Sequence, residues 1–297
     1  MKIRRLILSL LVILTLLSCL PVSAAPKNVI LMIGDGMGVA QVTLARLSLS
    51  ESSRPLNMDS MKYAALVKTC SADSIITDSA AAGTALATGH KTNNGMICIL
   101  PDGKPVQTIL EAAEKIGKAT GLVTTTTITH ATPASFGSHV ESRGSEADIA
   151  PQYLINSIEV LLGGGRMFFI PKSQEQSKRE DDRDLLAEAK TVGYTVVDSR
   201  DGLLSADGNR LLGLFEMGSL TTESPEPSLA EMTAKAIDIL SKDKDGFFLM
   251  VEGGQIDWKC HANDVPGTVK QTLDFDAAIG KVLDFARKRG DTLVIVT

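Results

Sequence analysis

Side chains that could bind a divalent cation beside a nucleophile recur in separated stretches of the sequence. Glu252 and Thr132 offer the oxygen donors that Mg²⁺ prefers. Asp257 and His261, four residues apart, offer the oxygen and nitrogen donors that suit Zn²⁺ better than Mg²⁺. Three of the four histidines, His130, His139 and His261, fall in or near these stretches. The residue types therefore indicate a metal-dependent reaction.

The glycine-rich stretch Gly34-Asp35-Gly36-Met37-Gly38 is typical of a turn from a strand into a helix. It does not fit the G-x-G-x-x-G pattern of dinucleotide sites, because Val39 stands where the third glycine belongs. A carboxylate at Asp35 would also repel a pyrophosphate, whereas a bound cation would remove that repulsion. We therefore interpret Asp35 as a ligand of a hard metal ion.

Ser79 is the candidate nucleophile, within Thr77-Asp78-Ser79 and the small residues that follow to Gly89. We expect it at a helix N-terminus, where free N–H groups and the helix dipole favour an anion; a plain N-cap is the alternative. No G-x-S-x-G elbow surrounds it, which disfavours a Ser-His-Asp hydrolase, and a divalent cation could instead lower the hydroxyl pKa. Arg143 could be an ordinary surface arginine or a bidentate donor to a phosphate monoester.

The elements that must position these residues alternate between apolar strand patterns and helical ones. Predicted strands are Asn28–Ile33, Ala65–Thr69, Thr120–Thr127, Thr195–Val197, Phe247–Val251 and Thr292–Val296, and predicted helices are Val106–Ile116, Leu229–Leu240 and one within Gly267–Arg289. The pattern indicates an α/β fold, a three-layer αβα sandwich with a mostly parallel central sheet. Ligands of such sheets bind beyond the carboxyl ends of the strands, where the candidate residues fall.

Residues 1–24 read as a secretory signal peptide, with basic Lys2, Arg4 and Arg5, an apolar run and a small-residue cleavage site. An uncleaved anchor is less favoured because the run is shorter than the roughly 20 residues of a membrane span, and lipidation at Cys19 is a minor alternative. We expect a periplasmic or secreted mature chain from residue 25 to 297, with no stable membrane span. Three cysteines remain, Cys70, Cys98 and Cys260, of which the first two could form a disulfide.

The composition indicates a globular chain and argues against a nucleic-acid partner. The 297 residues contain 30 Lys and Arg against 35 Asp and Glu, a formal net charge of −5, where a nucleic-acid binder would carry a basic surplus. The sequence stops on the strand pattern Asp291–Thr297, so we expect it to be a fragment lacking its C-terminal part.

Taken together, these stretches resemble the alkaline phosphatase family. The matching segments are 28–38, 77–89, 129–134, 138–143, 159–166 and 251–261, in family order. The resemblance implies that Ser79 is the nucleophile that becomes phosphorylated and that Arg143 holds the phosphate. It also implies Asp35 as a carboxylate shared by a zinc and the magnesium, Thr132 and Glu252 as magnesium ligands, Asp257 and His261 as zinc ligands, and His130 as their neighbour. The substrate would be a phosphate monoester, the cofactors Zn²⁺ and Mg²⁺, and the assembly a homodimer.

The sequence departs from the family after residue 297. There the family continues with an Ala-Asp-His segment, and much later a further histidine, that complete the two zinc sites; this chain therefore has a full magnesium set and two half-built zinc sites. A fragment that binds Mg²⁺ and phosphate without turnover is accordingly the alternative function. A sulfatase is disfavoured because no C/S-x-P-x-R context surrounds Ser79, and a phosphodiesterase of the same superfamily is the other rival.

Overall fold

Seven parallel strands form one sheet in the computed structural model, which describes residues 25–49 and 55–297. The predicted signal peptide lies outside the described residues. The strands are β1 (Asn28–Gly34), β2 (Ala119–Thr127), β3 (Val160–Gly164), β4 (Thr195–Val197), β5 (Leu211–Leu214), β6 (Phe247–Gly253) and β7 (Thr292–Val296). Their order across the sheet is β4-β5-β3-β2-β6-β1-β7.

Ten α-helices connect or follow these strands in the described part of the chain. They are α1 (Val39–Ser48), α2 (Ser79–Thr88), α3 (Ile109–Lys115), α4 (Ala131–Gly137), α5 (Glu146–Ile155), α6 (Leu185–Thr191), α7 (Arg200–Ser205), α8 (Leu229–Leu240), α9 (Gln255–His261) and α10 (Val265–Arg289). Short 3₁₀ turns cover Asn57–Ser60 and Arg166–Phe168. No helix among the described residues has the length and apolarity needed to cross a membrane.

The sheet is buried on both faces, because alternate side chains of its central strands enter two separate apolar cores. Leu31 and Met250 belong to the core shared with α2 to α6, whereas Ile30 and Leu249 belong to the core shared with α7, α8 and α10. Burial of each apolar side chain of this kind stabilises the folded state by about 1.5–3 kcal/mol. The predicted three-layer αβα sandwich with a parallel sheet is confirmed.

One predicted strand is wrong. Ala65–Thr69 has no regular secondary structure, and Leu66 and Val67 are 94% and 73% exposed. None of the seven strands of the described sheet pairs with this run, so its backbone takes part in no ladder. An apolar run forms a strand only where such a partner exists.

The structure does not contain the disulfide between Cys70 and Cys98 that the sequence left open. Cys70, Cys98 and Cys260 are free thiols. The Cys98 thiol is buried and donates to the carbonyl oxygen of Ser135 (2.9 Å), and burial raises its pKa to about 12. Cys70 instead contacts the ammonium of Lys91, so the two sulfurs have separate partners.

The three central strands bring the site residues to one edge of the sheet. β6 lies between β2 and β1, and its Glu252 pairs in register with Thr124 of β2 and Ile33 of β1. Asp35 follows the last residue of β1, and α4 and α9 begin just after β2 and β6. Because parallel strands end at the same edge, residues far apart in sequence meet there.

Candidate active site

Ser79 is the first residue of α2 and lies beside the carboxylate that follows β1. Its hydroxyl is 2.9 Å from Oδ2 and 3.2 Å from Oδ1 of Asp35. Asp78, rather than Ser79, is the N-cap, since its side chain accepts the backbone N–H of Ala81 at 2.9 Å. The predicted position of Ser79 at a helix N-terminus is thus observed, and its hydroxyl does not cap the helix.

The small residues after Ser79 let α2 approach α4 closely. A Cβ atom at Gly83 would lie 2.7 Å from Oγ of Ser135, which is closer than van der Waals contact permits. The Ala80 carbonyl accepts a hydrogen bond from the same Ser135 hydroxyl at 3.3 Å, and both Ala80 and Ala81 are buried. This packing fixes the start of α2, and hence Ser79, against the segment that carries His130 and Thr132.

Arg143 reaches the same place from the loop after α4. Its Nη1 donates to Oδ2 of Asp78 at 3.0 Å, and its Nη2 lies 3.1 Å from Nε2 of His130. The arginine and aspartate side chains are 31% and 25% exposed, so the guanidinium is only partly shielded from solvent. Asp78 therefore links the N-terminus of α2, which carries Ser79, to the guanidinium of Arg143.

His130 is a neutral side chain in this arrangement. Burial, with the nearby charge of Arg143, lowers its pKa to about 4. Because Arg143 donates to Nε2, the ring hydrogen is on Nδ1, a buried atom without a hydrogen-bond partner. The ring also makes an edge contact with Trp258 at 5.7 Å between centroids.

Glu252 is fully buried and only half satisfied. Its Oε2 accepts hydrogen bonds from Thr124 and, at 3.3 Å, from Thr126, whereas its buried Oε1 has no partner. Burial, and next the charge of Asp35, raises its pKa to about 7 against the opposing hydroxyls of Thr124, Thr132 and Thr126. Thr132, in the first turn of α4, is 3% exposed.

Asp35 lies between this carboxylate and a third one. Burial, followed by the charge of Asp257, raises its pKa to about 6. Asp257 lies against the glycine turn, since a Cβ atom at Gly36 (φ +66°) would be 2.8 Å from its Oδ1. Glycine is thus required at position 36 both for the left-handed backbone and for the close approach.

Two carboxylates buried together repel each other, and a divalent cation is the group that removes the repulsion. The oxygen donors of Asp35, Thr132 and Glu252, with the unpartnered Oε1, suit a hard ion such as Mg²⁺. Asp257 and His261 lie 3.4 Å apart, with the histidine side chain 80% exposed. Within the described ranges, no third His, Cys, Asp or Glu joins this pair in a group that could hold a metal ion.

The structure therefore brings Asp35, Ser79, Glu252 and Asp257 to one edge of the sheet, as the sequence suggested. Sequence reasoning missed Asp78 as the partner of Arg143, although an Asp before a helix start is a capping signal. It also missed Thr124 and Thr126, for which four consecutive threonines in a strand pattern were the available sign.

Comparisons with known proteins agree with this geometry. The alkaline phosphatase family profile matches residues 26–297. The chain is 45% identical over 289 residues to alkaline phosphatase 3 of Bacillus subtilis, covering 91% of this chain and 60% of that protein. It is 36% identical to the alkaline phosphatase of Escherichia coli, over 91% of this chain and 69% of that one. The chain thus spans only part of the length of these relatives.

Solved structures show the same fold. The alkaline phosphatase of the Antarctic bacterium TAB5 superposes with a TM-score of 0.84 at 38% identity, over 92% of this chain and 78% of that one. The Thermus thermophilus alkaline phosphatase gives a TM-score of 0.86 at 38% identity, over 92% and 59% of the two chains. A mutant of the TAB5 enzyme has been solved with Mg bound in its M3 site. With the profile match over nearly all of the described residues, these likenesses show that the chain belongs to the alkaline phosphatase family.

Proposed function

We propose that this chain hydrolyses phosphate monoesters through a phosphorylated Ser79. The observation that carries the proposal is the position of the Ser79 hydroxyl, at the start of α2 and 2.9 Å from a carboxylate oxygen of Asp35. Arg143 is linked to the same helix start through Asp78. A nucleophile, a helix N-terminus and a guanidinium thus surround one point, as an anionic substrate requires.

The reaction runs in two displacements. The Ser79 hydroxyl gives up its proton to solvent as its oxygen forms a bond to phosphorus, the bond from phosphorus to the alcohol oxygen breaks, and the alcohol departs with a proton taken from solvent. Water then attacks the phosphoserine, which releases inorganic phosphate and restores the Ser79 hydroxyl. Arg143 donates hydrogen bonds to the non-bridging oxygens, whose charge is concentrated at the transferring phosphoryl group.

We infer that Asp35, Thr132 and Glu252 hold Mg²⁺ and that Asp257 and His261 contribute to a zinc site. When bound, such ions stabilise the ionised serine and the charge on the phosphate oxygens. Within the chain, Asp35 accepts the proton of the Ser79 hydroxyl in a hydrogen bond. His130 remains neutral and accepts from Arg143, so it orients the guanidinium without repelling it.

We further propose that the mature protein is exported to the periplasm or the medium after removal of residues 1–24, and that it forms a homodimer. The irregular segment of residues 61–76 supports the dimer proposal. Its large apolar side chains Tyr63, Leu66, Val67, Ile75 and Ile76 are between 73% and 94% exposed. Exposed large apolar side chains concentrated in one segment are typical of a contact with another protein surface.

Binding of Mg²⁺ and phosphate without turnover is the second candidate function. The observation that favours it is the incomplete zinc donor set: Asp257 and His261 lie together, but no group of three or more His, Cys, Asp or Glu that could hold a metal ion forms among residues 25–49 and 55–297.

The two candidates are separated by p-nitrophenyl phosphate hydrolysis with added Zn²⁺ and Mg²⁺, for the wild type and for Ser79→Ala. The proposal expects metal-dependent release of p-nitrophenolate that Ser79→Ala abolishes. Equal hydrolysis by both proteins contradicts the nucleophile. Phosphate binding by calorimetry with no hydrolysis by the wild type favours the binding function.

A further inference from the structure

His139 precedes Arg143 by four residues and is outside the proposed metal and phosphate site. Its Nε2 lies 2.7 Å from Oε1 of Glu111, in the first turn of α3. Its Nδ1 lies 3.1 Å from the carbonyl oxygen of Cys98. The imidazole and carboxylate are 22% and 21% exposed, so solvent reaches this bridge only partly.

Both partners of the ring are hydrogen-bond acceptors. The Cys98 carbonyl has no proton to donate, and the second oxygen of Glu111 already accepts the backbone N–H of Thr108 at 3.0 Å. A neutral imidazole has one N–H, whereas the imidazolium has two. The doubly protonated ring is therefore the form of His139 that satisfies both contacts, and its deprotonation turns a lone pair towards an oxygen.

In the described part of the chain, the ring nitrogens of His139 have these two acceptors as their hydrogen-bond partners, and the donors nearby, the Lys115 ammonium and the Gln107 amide, line the adjacent cavity without bonding to the ring. The cavity beside it is lined from α3 by Glu111, Glu114 and Lys115, of which the glutamates are acidic. From α5, the neutral amides of Gln152 and Asn156 contact the backbone rather than the ring: Gln152 with the N–H and carbonyl of His139, Asn156 with the Gly137 carbonyl.

The backbone next to His139 leads directly to Arg143. Val140 and Ile97 exchange two backbone hydrogen bonds of 3.0 and 3.1 Å. The backbone N–H of Arg143 donates to the carbonyl of Gly95 at 2.7 Å. Residues 95–98 and 139–143 thus form one paired unit. Its Cys98 carbonyl also accepts the backbone N–H of Val106 at 2.9 Å, and the His139 side chain links both segments of the unit to Glu111 of α3.

The paired unit also contacts Asp78, the carboxylate that binds the Arg143 guanidinium. The N–H of Gly95 donates to Oδ2 of Asp78 at 3.0 Å, the oxygen that also accepts from Arg143. A shift of the paired unit therefore moves Arg143 relative to Asp78 and Ser79.

We propose that His139 is a positioning residue for Arg143: as an imidazolium bridging Glu111 and the Cys98 carbonyl, it holds the paired unit against α3, and its deprotonation loosens the guanidinium. The link to phosphate binding rests on the proposed function, whereas the protonation state of the bridge does not.

Glu111→Gln gives the sharpest test, because the amide can keep every contact without a charge. Its oxygen can accept from Thr108, and its NH₂ can donate to the lone pair of a neutral His139. In this variant the bridge persists when His139 loses a proton, whereas in the wild type it does not. Calorimetry with inorganic phosphate and Mg²⁺ compares the two dissociation constants at each pH, so that the ionisation of phosphate and metal cancels in their ratio.

The expected ratio of wild-type to Glu111→Gln dissociation constants is close to one at about pH 6, and rises to about threefold at about pH 9 as the wild-type bridge opens. Glu111→Ala lacks the bridge at both pH values, so it is expected to bind phosphate about threefold more weakly than Glu111→Gln at both, and about threefold more weakly than the wild type only at about pH 6. Glu188→Gln, a glutamate of α6, serves as the matched control and leaves the ratio at one. A ratio for Glu111→Gln that does not change with pH overturns the proposal.

A second measurement does not depend on phosphate. Nitrogen-15 NMR of the imidazoles, assigned with His139→Gln and with the exposed His90→Gln as control, reports how many ring nitrogens carry protons. We expect two on His139 in the wild type at about pH 6. A singly protonated His139 at that pH overturns the bridge, whereas a doubly protonated His139 in a protein that fails to bind phosphate supports the bridge and refutes the role of Arg143 in the proposed function.

Discussion

Glu252→Gln removes a buried charge from the proposed magnesium site while keeping the shape of the side chain. Without metal, the wild-type Glu252 and Asp35 carboxyls have raised pKa values, chiefly through burial and then through a neighbouring negative charge, that of Asp35 on Glu252 and that of Asp257 on Asp35. An acid whose pKa is raised in the folded state binds its proton more tightly there than in the unfolded chain. Metal-free stability is therefore greatest below the ordinary carboxyl pKa and falls as the pH rises to about 7. Glu252→Gln has no carboxyl at this position to ionise, so it does not lose the stability that the wild type loses when Glu252 ionises. It is therefore expected to be more stable than the wild type at about pH 8 without metal.

We expect magnesium to reverse this order, because in the proposed site it binds the ionised carboxylates. A ligand present at about 100 times its Kd stabilises the folded state by about 2.7 kcal/mol. At about 2 °C per kcal/mol for a domain of this size, the expected rise in Tm is about 5 °C for the wild type at about pH 8. At about pH 5.5 protons occupy the carboxyls and compete with the metal, so the rise is expected to be much smaller.

Thermal unfolding followed by circular dichroism, in EDTA and in Mg²⁺, measures both effects, with Glu188→Gln as a control that behaves as the wild type. Glu252→Gln is expected to show a rise of less than about 2 °C at about pH 8. An undiminished rise in Glu252→Gln would refute Glu252 as a ligand. An equal rise at both pH values in the wild type would refute the competition between metal and protons.

Three further outcomes follow from the same contacts. Arg143→Lys replaces a two-pronged donor by a point charge, so the Kd for inorganic phosphate by calorimetry is expected to rise about tenfold, and an unchanged Kd would contradict the phosphate role. Asp276→Ala leaves the backbone N–H groups of Asn57 and Met58, now bonded at 2.8 and 3.0 Å, without their acceptor; urea unfolding is expected to show a loss of about 2 kcal/mol, against no change for the exposed Asp284→Ala. Burial chiefly, and then the charge of Glu159, raises the pKa of Glu114 from 4.5 to about 7. The wild type is therefore expected to lose about 2 kcal/mol of folding free energy as the pH rises through that range, after allowance for solvent screening, and Glu114→Gln is expected not to show this loss. The same pH dependence of stability in both proteins would count against the reasoning.

The elements that the sequence predicted best carry their own boundary signals. The helix Leu229–Leu240 has the predicted bounds, because Ser228 caps it and Glu231 returns a hydrogen bond to the cap. The predicted helix Val106–Ile116 begins later, at Ile109, where Thr108 and Glu111 form the same capping box. Local hydrogen bonds of this kind can be read from residues three apart.

Elements that depend on distant partners could not be predicted in this way. Val160–Gly164 and Leu211–Leu214 are short strands whose order comes from pairing with β2, β3 and β4. Ala65–Thr69 has the stronger local strand pattern and yet no partner strand. Pairing across the sheet, rather than the pattern of a run, decides which short apolar segments become strands.

The same limit applies to the site, where identical residue types have opposite roles. Asp78 and Asp276 are carboxylates whose oxygens are occupied by N–H donors, and each holds pieces of backbone together. Glu252 is equally a carboxylate, but one buried oxygen has no partner and the neighbouring charge is negative. A buried acceptor left unpaired destabilises the fold by about 1–3 kcal/mol unless another group binds it. The unpaired oxygen, which no sequence pattern reveals, is therefore the feature that distinguishes the carboxylate proposed here as a metal ligand from the carboxylates that support the backbone.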